Sequence, residues 1–182
     1  YSEYTNSMHT YILAGGCFWC LDAVFRKLKG VSASRCGYAG GESSDADYYR
    51  VASGRTGHAE VVEVTFDESV ISAETILDIF FLIHDPTTLN RQGADEGPQY
   101  RSAMFYSNAA QKQLFEAAVA RAQTNWEQPI VTALKPLGAF YEAEPEHQDY
   151  FANNPANPYC SLVINPKVMK ARRSYADYFT KD

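Results

Sequence analysis

Ala14-Gly15-Gly16-Cys17-Phe18-Trp19-Cys20 sets a thiol between a double-glycine turn and the start of a helix, and no other segment restricts the local architecture as tightly. Upstream, Thr10 to Leu13 is a short apolar run with β-branched and aromatic residues. Downstream, Phe18, Leu21, Val24, Phe25 and Leu28 recur at helical spacing. The order is strand, tight turn, thiol, helix. A cysteine in the first helical turn meets unpaired backbone N–H groups and the positive end of the helix dipole, which favour thiolate over thiol. Cysteine taken alone is more often a small buried apolar residue; the glycines and the helix start argue for a reactive one.

The rest of the chain mixes strands and helices without regular alternation. Gly30 closes the first helix, and Val31 to Tyr38 and His58 to Phe66 read as strands. Ser72 suits the N-cap of a helix carrying Ile76, Leu77, Ile79, Phe80 and Ile83, which Asp85-Pro86 stops. Thr87 to Gln99 lacks periodicity, and long structureless stretches inside a domain usually carry function. Arg101 to Tyr106 reads as a strand, Ala109 to Trp126 as a helix and Pro129 to Leu134 as a strand. Pro145, Pro155, Pro158 and Pro166 then predict an irregular wrap before a short terminal helix. The expected class is α+β, with helices packed on a mixed or antiparallel sheet. At 182 residues and 46% apolar composition, the chain suits one core. It begins at Tyr1 rather than Met, so residues 1–9 are expected to be an N-terminal extension, processed or artificial, with Met8 a candidate native start. Residues 10–182 are expected to form a single catalytic domain.

A net charge of −6 spread along the chain argues against a nucleic-acid surface. The longest apolar run, Ile79 to Ile83, is too short to cross a bilayer, and nothing reads as an intact signal peptide. Cys17, Cys20, Cys36 and Cys160 are too few to staple a chain of this size, so reduced, working thiols are expected. Cys20 completes a C-x-x-C with Cys17, a redox arrangement and a weaker metal signal. Cys160 sits in the Pro-rich tail, which could carry it to the site, while Cys36 lies in a strand and suits a structural role. Strand alternation puts Glu60 on the face of Val62, Val64 and Phe66, where apolar surroundings would raise its pKa; a strand end reaching water is the equally open alternative. Phe18 and Trp19 cannot both face one core, so one should line a pocket beside the thiol. Tyr49 and Tyr100 stand out among thirteen tyrosines only by lying in polar loops beside Arg50 and Arg101. Asp95 would by default be a solvated turn residue, and His58, without a second well-spaced ligand, a structural histidine.

In order along the chain stand Gly16-Cys17-Phe18-Trp19, Gly37-Tyr38-Ala39-Gly40-Gly41, Gly57-His58-Ala59-Glu60, His84-Asp85-Pro86-Thr87-Thr88 and Arg91-Gln92-Gly93. Gln99-Tyr100-Arg101-Ser102 and Ala143-Glu144-Pro145-Glu146-His147-Gln148 follow. From about Tyr11 to Lys167 the chain thereby resembles the A-type peptide methionine sulfoxide reductases. The resemblance implies a two-layer α/β sandwich with an irregular C-terminal wrap, and reduction of the S-epimer of methionine sulfoxide, free or protein-bound. It makes Cys17 the nucleophile, Glu60 the acid beside it, Tyr49 and Tyr100 the hydroxyls that hold the sulfoxide oxygen, and Asp95 the acidic partner. Phe18 and Trp19 become the aromatic wall around the substrate methyl group. No metal or organic cofactor is implied: a sulfenic acid on Cys17 condenses with a second thiol, and thioredoxin or another dithiol reduces the disulfide.

Cys160 resembles the C-terminal resolving position and is the first choice for that second thiol. Cys20, where many relatives carry Gly, is the alternative, because pairing within the first turn would distort the helix start. Ala94 and Pro98 depart from the family's usual Asn and Thr. The resemblance implies a cytoplasmic monomer that meets oxidised proteins, peptides or free sulfoxide, and thioredoxin, but neither nucleic acid nor membrane. One rival is a thioredoxin-like thiol–disulfide oxidoreductase, which would need neither Glu60 nor the tyrosines. The other is a zinc-binding module on the four cysteines, for which only one C-x-x-C pair is present.

Overall fold

Strands whose central residues are buried on both faces form a six-stranded sheet in the computed structural model, which describes residues 7–180. Residues 1–6 of the expected extension lie outside the described residues. β1 (Met8–Gly15) passes through the double-glycine turn into α1 (Phe18–Phe25), then β2 (Val31–Ala39), α2 (Tyr48–Ala52), β3 (Ala59–Asp67) and α3 (Ala73–Leu82). A ribbon of β4 (Arg91–Gln92) and β5 (Asp95–Glu96) occupies the long loop before β6 (Ser102–Tyr106), α4 (Ala109–Gln123), β7 (Ala133–Pro136) and β8 (Phe140–Glu142). The tail holds α5 (Tyr150–Asn153), a π-helical turn at Cys160–Ile164 and α6 (Asn165–Ser174).

The strand order is β7-β6-β1-β3-β2-β8, antiparallel throughout except for the parallel β6–β7 pair. The α+β expectation with a mixed sheet holds. Residues Tyr11, Leu13, Val62, Val64 and Phe66 face the helices and share a core with Phe18, Leu21, Phe25, Ile76, Phe80 and Phe115. Their alternates Ile12, Ala14, Ala59, Val61, Ala103 and Phe105 close a smaller cluster on the other face. Burying each large apolar side chain contributes about 1.5–3 kcal/mol, so a one-residue slip of β3 would forfeit several such contributions at once.

Ser72 caps α3 by accepting from the Thr75 N–H, as its residue type predicts. Pro166 lies where the π-helical turn passes directly into α6, one residue after the Asn165 N–H donates to the Cys160 carbonyl. The short elements α2 and β8 were not anticipated, and the strand expected over Pro129 to Leu134 begins at Ala133 instead. The tail is partly helical rather than irregular. β8 packs so closely on β2 that a Cβ at Gly37 would lie 2.3 Å from the Phe140 ring and 2.5 Å from the Tyr141 carbonyl oxygen. Gln148 then pins the wrap to the sheet, its Nε2 donating to the Cys36 and Ala143 carbonyls and its Oε1 accepting from the Cys36 N–H. Among the described residues no helix is long and apolar enough to cross a membrane.

Candidate active site

The turn that carries the thiol is held from beneath. Gly16 has φ +92°, and a Cβ there would lie 2.6 Å from Cγ of Gln92. Gln92 in turn accepts from the Asp85 N–H and donates to the Asp85 carbonyl. His84, its pKa lowered to about 4 by burial, is neutral; its Nδ1–H donates to the Phe80 carbonyl and its Nε2 accepts from the Ser102 hydroxyl. Cys17 itself is the N-cap of α1, with ψ 126° outside the helical range, and is 7% exposed.

Cys17 opens into a cavity of about 170 Å³ whose other walls are Glu60, Asp95, Tyr48 and Tyr100, with Phe18, Trp19 and Tyr159. Glu60 stands at the start of β3 opposite Tyr38, only 2% exposed, and its Oε1 accepts the Phe18 N–H at 3.1 Å. Little of its surface is open to solvent. Burial pushes its carboxyl up to about 8, against the Phe18 N–H, which favours the anion, and with help from Asp95 and Cys20. The group is therefore a protonated acid at neutral pH. Burial, then the nearness of Glu60, also raises Tyr48 and Tyr100, so both keep their protons. Among the described residues neither of these two phenol hydroxyls has a hydrogen-bond partner, which leaves two donors free for a ligand. Asp95, on β5, accepts from the Tyr159 hydroxyl at 2.7 Å. A roomier cavity of about 450 Å³ between α3 and α4 contains no thiol, and its Asp78 is paired with Arg121.

Several expectations need correction. Tyr49 is 85% exposed, and Tyr48 lines the pocket in its place. Asp47 caps α2 through the Arg50 N–H, and adjacent residues on a helix point about 100° apart, so only one of the two tyrosines can face inward. The helix start does not leave Cys17 a resting thiolate. Burial holds its thiol well above the usual cysteine range, followed by its hydrogen bond to Cys20 and the nearness of Glu60. Cys20 shifts the other way, chiefly because it accepts the hydrogen bond from Cys17.

Cys20, not Cys160, is the thiol beside Cys17. The Cys20 sulfur lies 3.9 Å from the Tyr159 hydroxyl, and Cys160, next in the chain, borders a separate cavity of about 340 Å³ with Phe151 and Pro155. Phe18 and Trp19 both line the pocket, although Phe18 also belongs to the core. Cys36 points elsewhere, its thiol donating to the Phe18 carbonyl at 3.7 Å. His58 is structural, with Nδ1 accepting from the Gly41 N–H and Nε2–H donating to the Glu42 carbonyl. All four cysteines are free. Among the described residues the only acid, histidine or cysteine group close enough to share an ion is Glu144, Glu146 and His147, so the four cysteines do not converge. The Glu144 oxygens already accept from the Tyr38 hydroxyl and the Tyr48 N–H, and His147 Nδ1 accepts from Trp19. Sequence reasoning missed Tyr48 and Tyr159; the N-cap signal at Asp47 and the neighbouring Cys160 were the available clues.

Residues 9–178 match the family model described as peptide methionine sulfoxide reductase. A peptide methionine sulfoxide reductase MsrA of Paenarthrobacter aurescens is 57% identical over 95% of this chain and 99% of its own length. Its counterpart in Pseudarthrobacter chlorophenolicus is 59% identical over 93% and 97%. Among solved structures, reduced Mxr1 from Saccharomyces cerevisiae aligns with TM-score 0.80 at 36% identity over 86% of this chain and 91% of that one. Mxr1 in complex with Trx2 aligns with TM-score 0.57 at 28% identity, covering 80% of this chain and 86% of that one.

Proposed function

Because the chain belongs to the peptide methionine sulfoxide reductase family and is a thiol-dependent peptide-methionine (S)-S-oxide reductase, we propose that its small pocket performs this reduction with Cys17 as nucleophile and Glu60 as acid. The observation that carries the assignment is the buried, protonated Glu60 beside the thiol. A sulfoxide sulfur becomes electrophilic when its oxygen is protonated or strongly hydrogen-bonded. Glu60 and the unpartnered hydroxyls of Tyr48 and Tyr100 supply those donors, and Phe18 and Trp19 give the methyl group an apolar wall. Asp95 keeps the Tyr159 side of the pocket in place through its hydrogen bond.

As Cys17 attacks sulfur, its proton passes to the Cys20 thiolate and Glu60 protonates the oxygen. The hydroxyl moves to the cysteine sulfur, methionine leaves, and Cys17 is a sulfenic acid. The Cys20 thiol then condenses with it, forming an S–S bond and releasing water. Because Cys17 is a cap residue outside the helix proper, this closure need not unwind α1. Cys160 follows as the thiol through which a dithiol donor regains the pair by exchange. Thioredoxin fits that role by analogy with the Mxr1–Trx2 complex. Neither metal nor organic cofactor enters these steps. The proposal extends to a cytoplasmic monomer with one catalytic domain over residues 10–182, acting on free or protein-bound sulfoxide. Four free cysteines suit a reducing compartment.

Two measurements test this mechanism. Tyr48→Phe should raise KM for methionine sulfoxide or lower kcat by roughly tenfold, the worth of a hydrogen bond to developing charge, while Tyr49→Phe stays near wild type. The reverse pattern restores Tyr49. In single turnover without reductant, Cys160→Ser should yield a Cys17–Cys20 disulfide by mass spectrometry, whereas Cys20→Ser should accumulate sulfenic acid. A rapid Cys17–Cys160 bond in Cys20→Ser would reinstate Cys160 as the first resolving thiol.

A further inference from the structure

The Ala143 to Gln148 motif contains a histidine to which the chemistry above gives no part, yet it touches the pocket's walls from outside. His147 is 6% exposed at the end of a 3-10 turn over Pro145–His147. Its Nδ1 accepts the indole N–H of Trp19 at 3.1 Å. The imidazole also lies 4.5 Å from the Tyr48 ring and 5.3 Å from the Phe18 ring, centroid to centroid. Trp19 is simultaneously stacked on Tyr150 at 3.7 Å with 6° between the planes. That stack fixes the plane of the indole but resists sliding within the plane only weakly, since parallel faces keep their contact as they slip. A directional hydrogen bond in the plane is what stops the slip.

We propose that His147 is a positioning residue for substrate specificity, locking Trp19 in register so that the indole meets the methyl group of the bound sulfoxide. This rests on the reading of Trp19 as the methyl wall. Only the neutral imidazole with its proton on Nε2 can accept from the indole, and burial holds His147 below its ordinary range, in that form. Gln148 and Glu144 hold the same turn in place, through the Cys36 backbone and through Tyr38 and the Tyr48 N–H. A slipped wall weakens binding of the sulfoxide side chain and leaves the thiol and the acid where they were. The effect therefore belongs in KM.

Steady-state kinetics on methionine (S)-sulfoxide with four single variants and one double variant decide it. His147→Ala should raise KM by about tenfold, the loss of one neutral hydrogen bond, with kcat within about twofold of wild type. His147→Gln, which keeps an acceptor, should recover most of that loss. Trp19→Phe removes the N–H and should resemble His147→Ala, and combining the two should raise KM no further than either alone. With two tryptophans in the chain, the Trp19 indole N–H resonance is readily assigned. It should move upfield in His147→Ala and stay near its place in His147→Gln. An unchanged KM in His147→Ala, or effects that multiply with Trp19→Phe, overturns the proposal. Trp19→Ala separates the two levels: a wild-type KM there removes the methyl wall and this inference with it, whereas a large loss in Trp19→Ala beside a silent His147→Ala removes the inference alone.

Discussion

Replacing Glu60 by Gln is expected to lower kcat for methionine sulfoxide by roughly two to four orders of magnitude, the usual worth of a positioned general acid. The amide keeps the oxygen that accepts from the Phe18 N–H, so the fold should survive. The pH dependence gives the assignment a second signature. A carboxyl raised to about 8 donates only while protonated, so wild-type turnover should fall as pH climbs through that value, and Glu60→Gln should lose that alkaline limb. Stability follows the same proton. Between the ordinary value of 4.5 and about 8 the folded protein retains a proton that the unfolded chain has released, so wild-type stability declines as pH rises through this window. Glu60→Gln is free of that loss, and thermal unfolding should show its advantage growing from pH 5 to pH 8. Near-normal turnover in the variant, or an advantage that does not vary with pH, would dismiss Glu60 as the acid.

The second large effect is at Cys17. Cys17→Ser should form no methionine even in a single turnover without reductant, because a serine hydroxyl is a far weaker nucleophile than a thiol and cannot take up the oxygen as a sulfenic acid. Cys20→Ser provides the contrast. It should still yield about one equivalent of methionine per protein while failing to recycle. That equivalent should form more slowly than in wild type, because the Cys17 proton has lost its acceptor, and an unchanged rate would remove Cys20 from that step. If Cys17→Ser still gives methionine, another residue is the nucleophile.

Local patterns carried much of this site and failed at identifiable places. The period of two in β3 was enough to turn Glu60 inward with Val62 and Val64, and the sheet confirms that side. Ser72 and the glycines around Cys17 announced their turns through residue type alone. By contrast, α2 is five residues long, too short for any helical period, so the choice between Tyr48 and Tyr49 was invisible until the Asp47 cap fixed the starting angle. The acidity of Cys17 was misjudged because a helix start is a local feature, whereas the burial that outweighs it comes from strands and loops distant in sequence. Tyr159 had no pattern at all. Its place beside Cys20 depends on how the tail returns across α1.

That return has a consequence for the order in which the protein is made. Trp19 and its partner His147 are 128 residues apart, and Cys20 and Tyr159 are 139 apart. Chains leave the ribosome N-terminus first, so the thiols emerge long before the residues that enclose them. During synthesis Cys17 is a cysteine without a pocket, and the sulfoxide subsite closes only when the final segments dock. A chain released without its last thirty or so residues would carry the nucleophile but lack both the Tyr159 wall of its pocket and the Cys160 thiol.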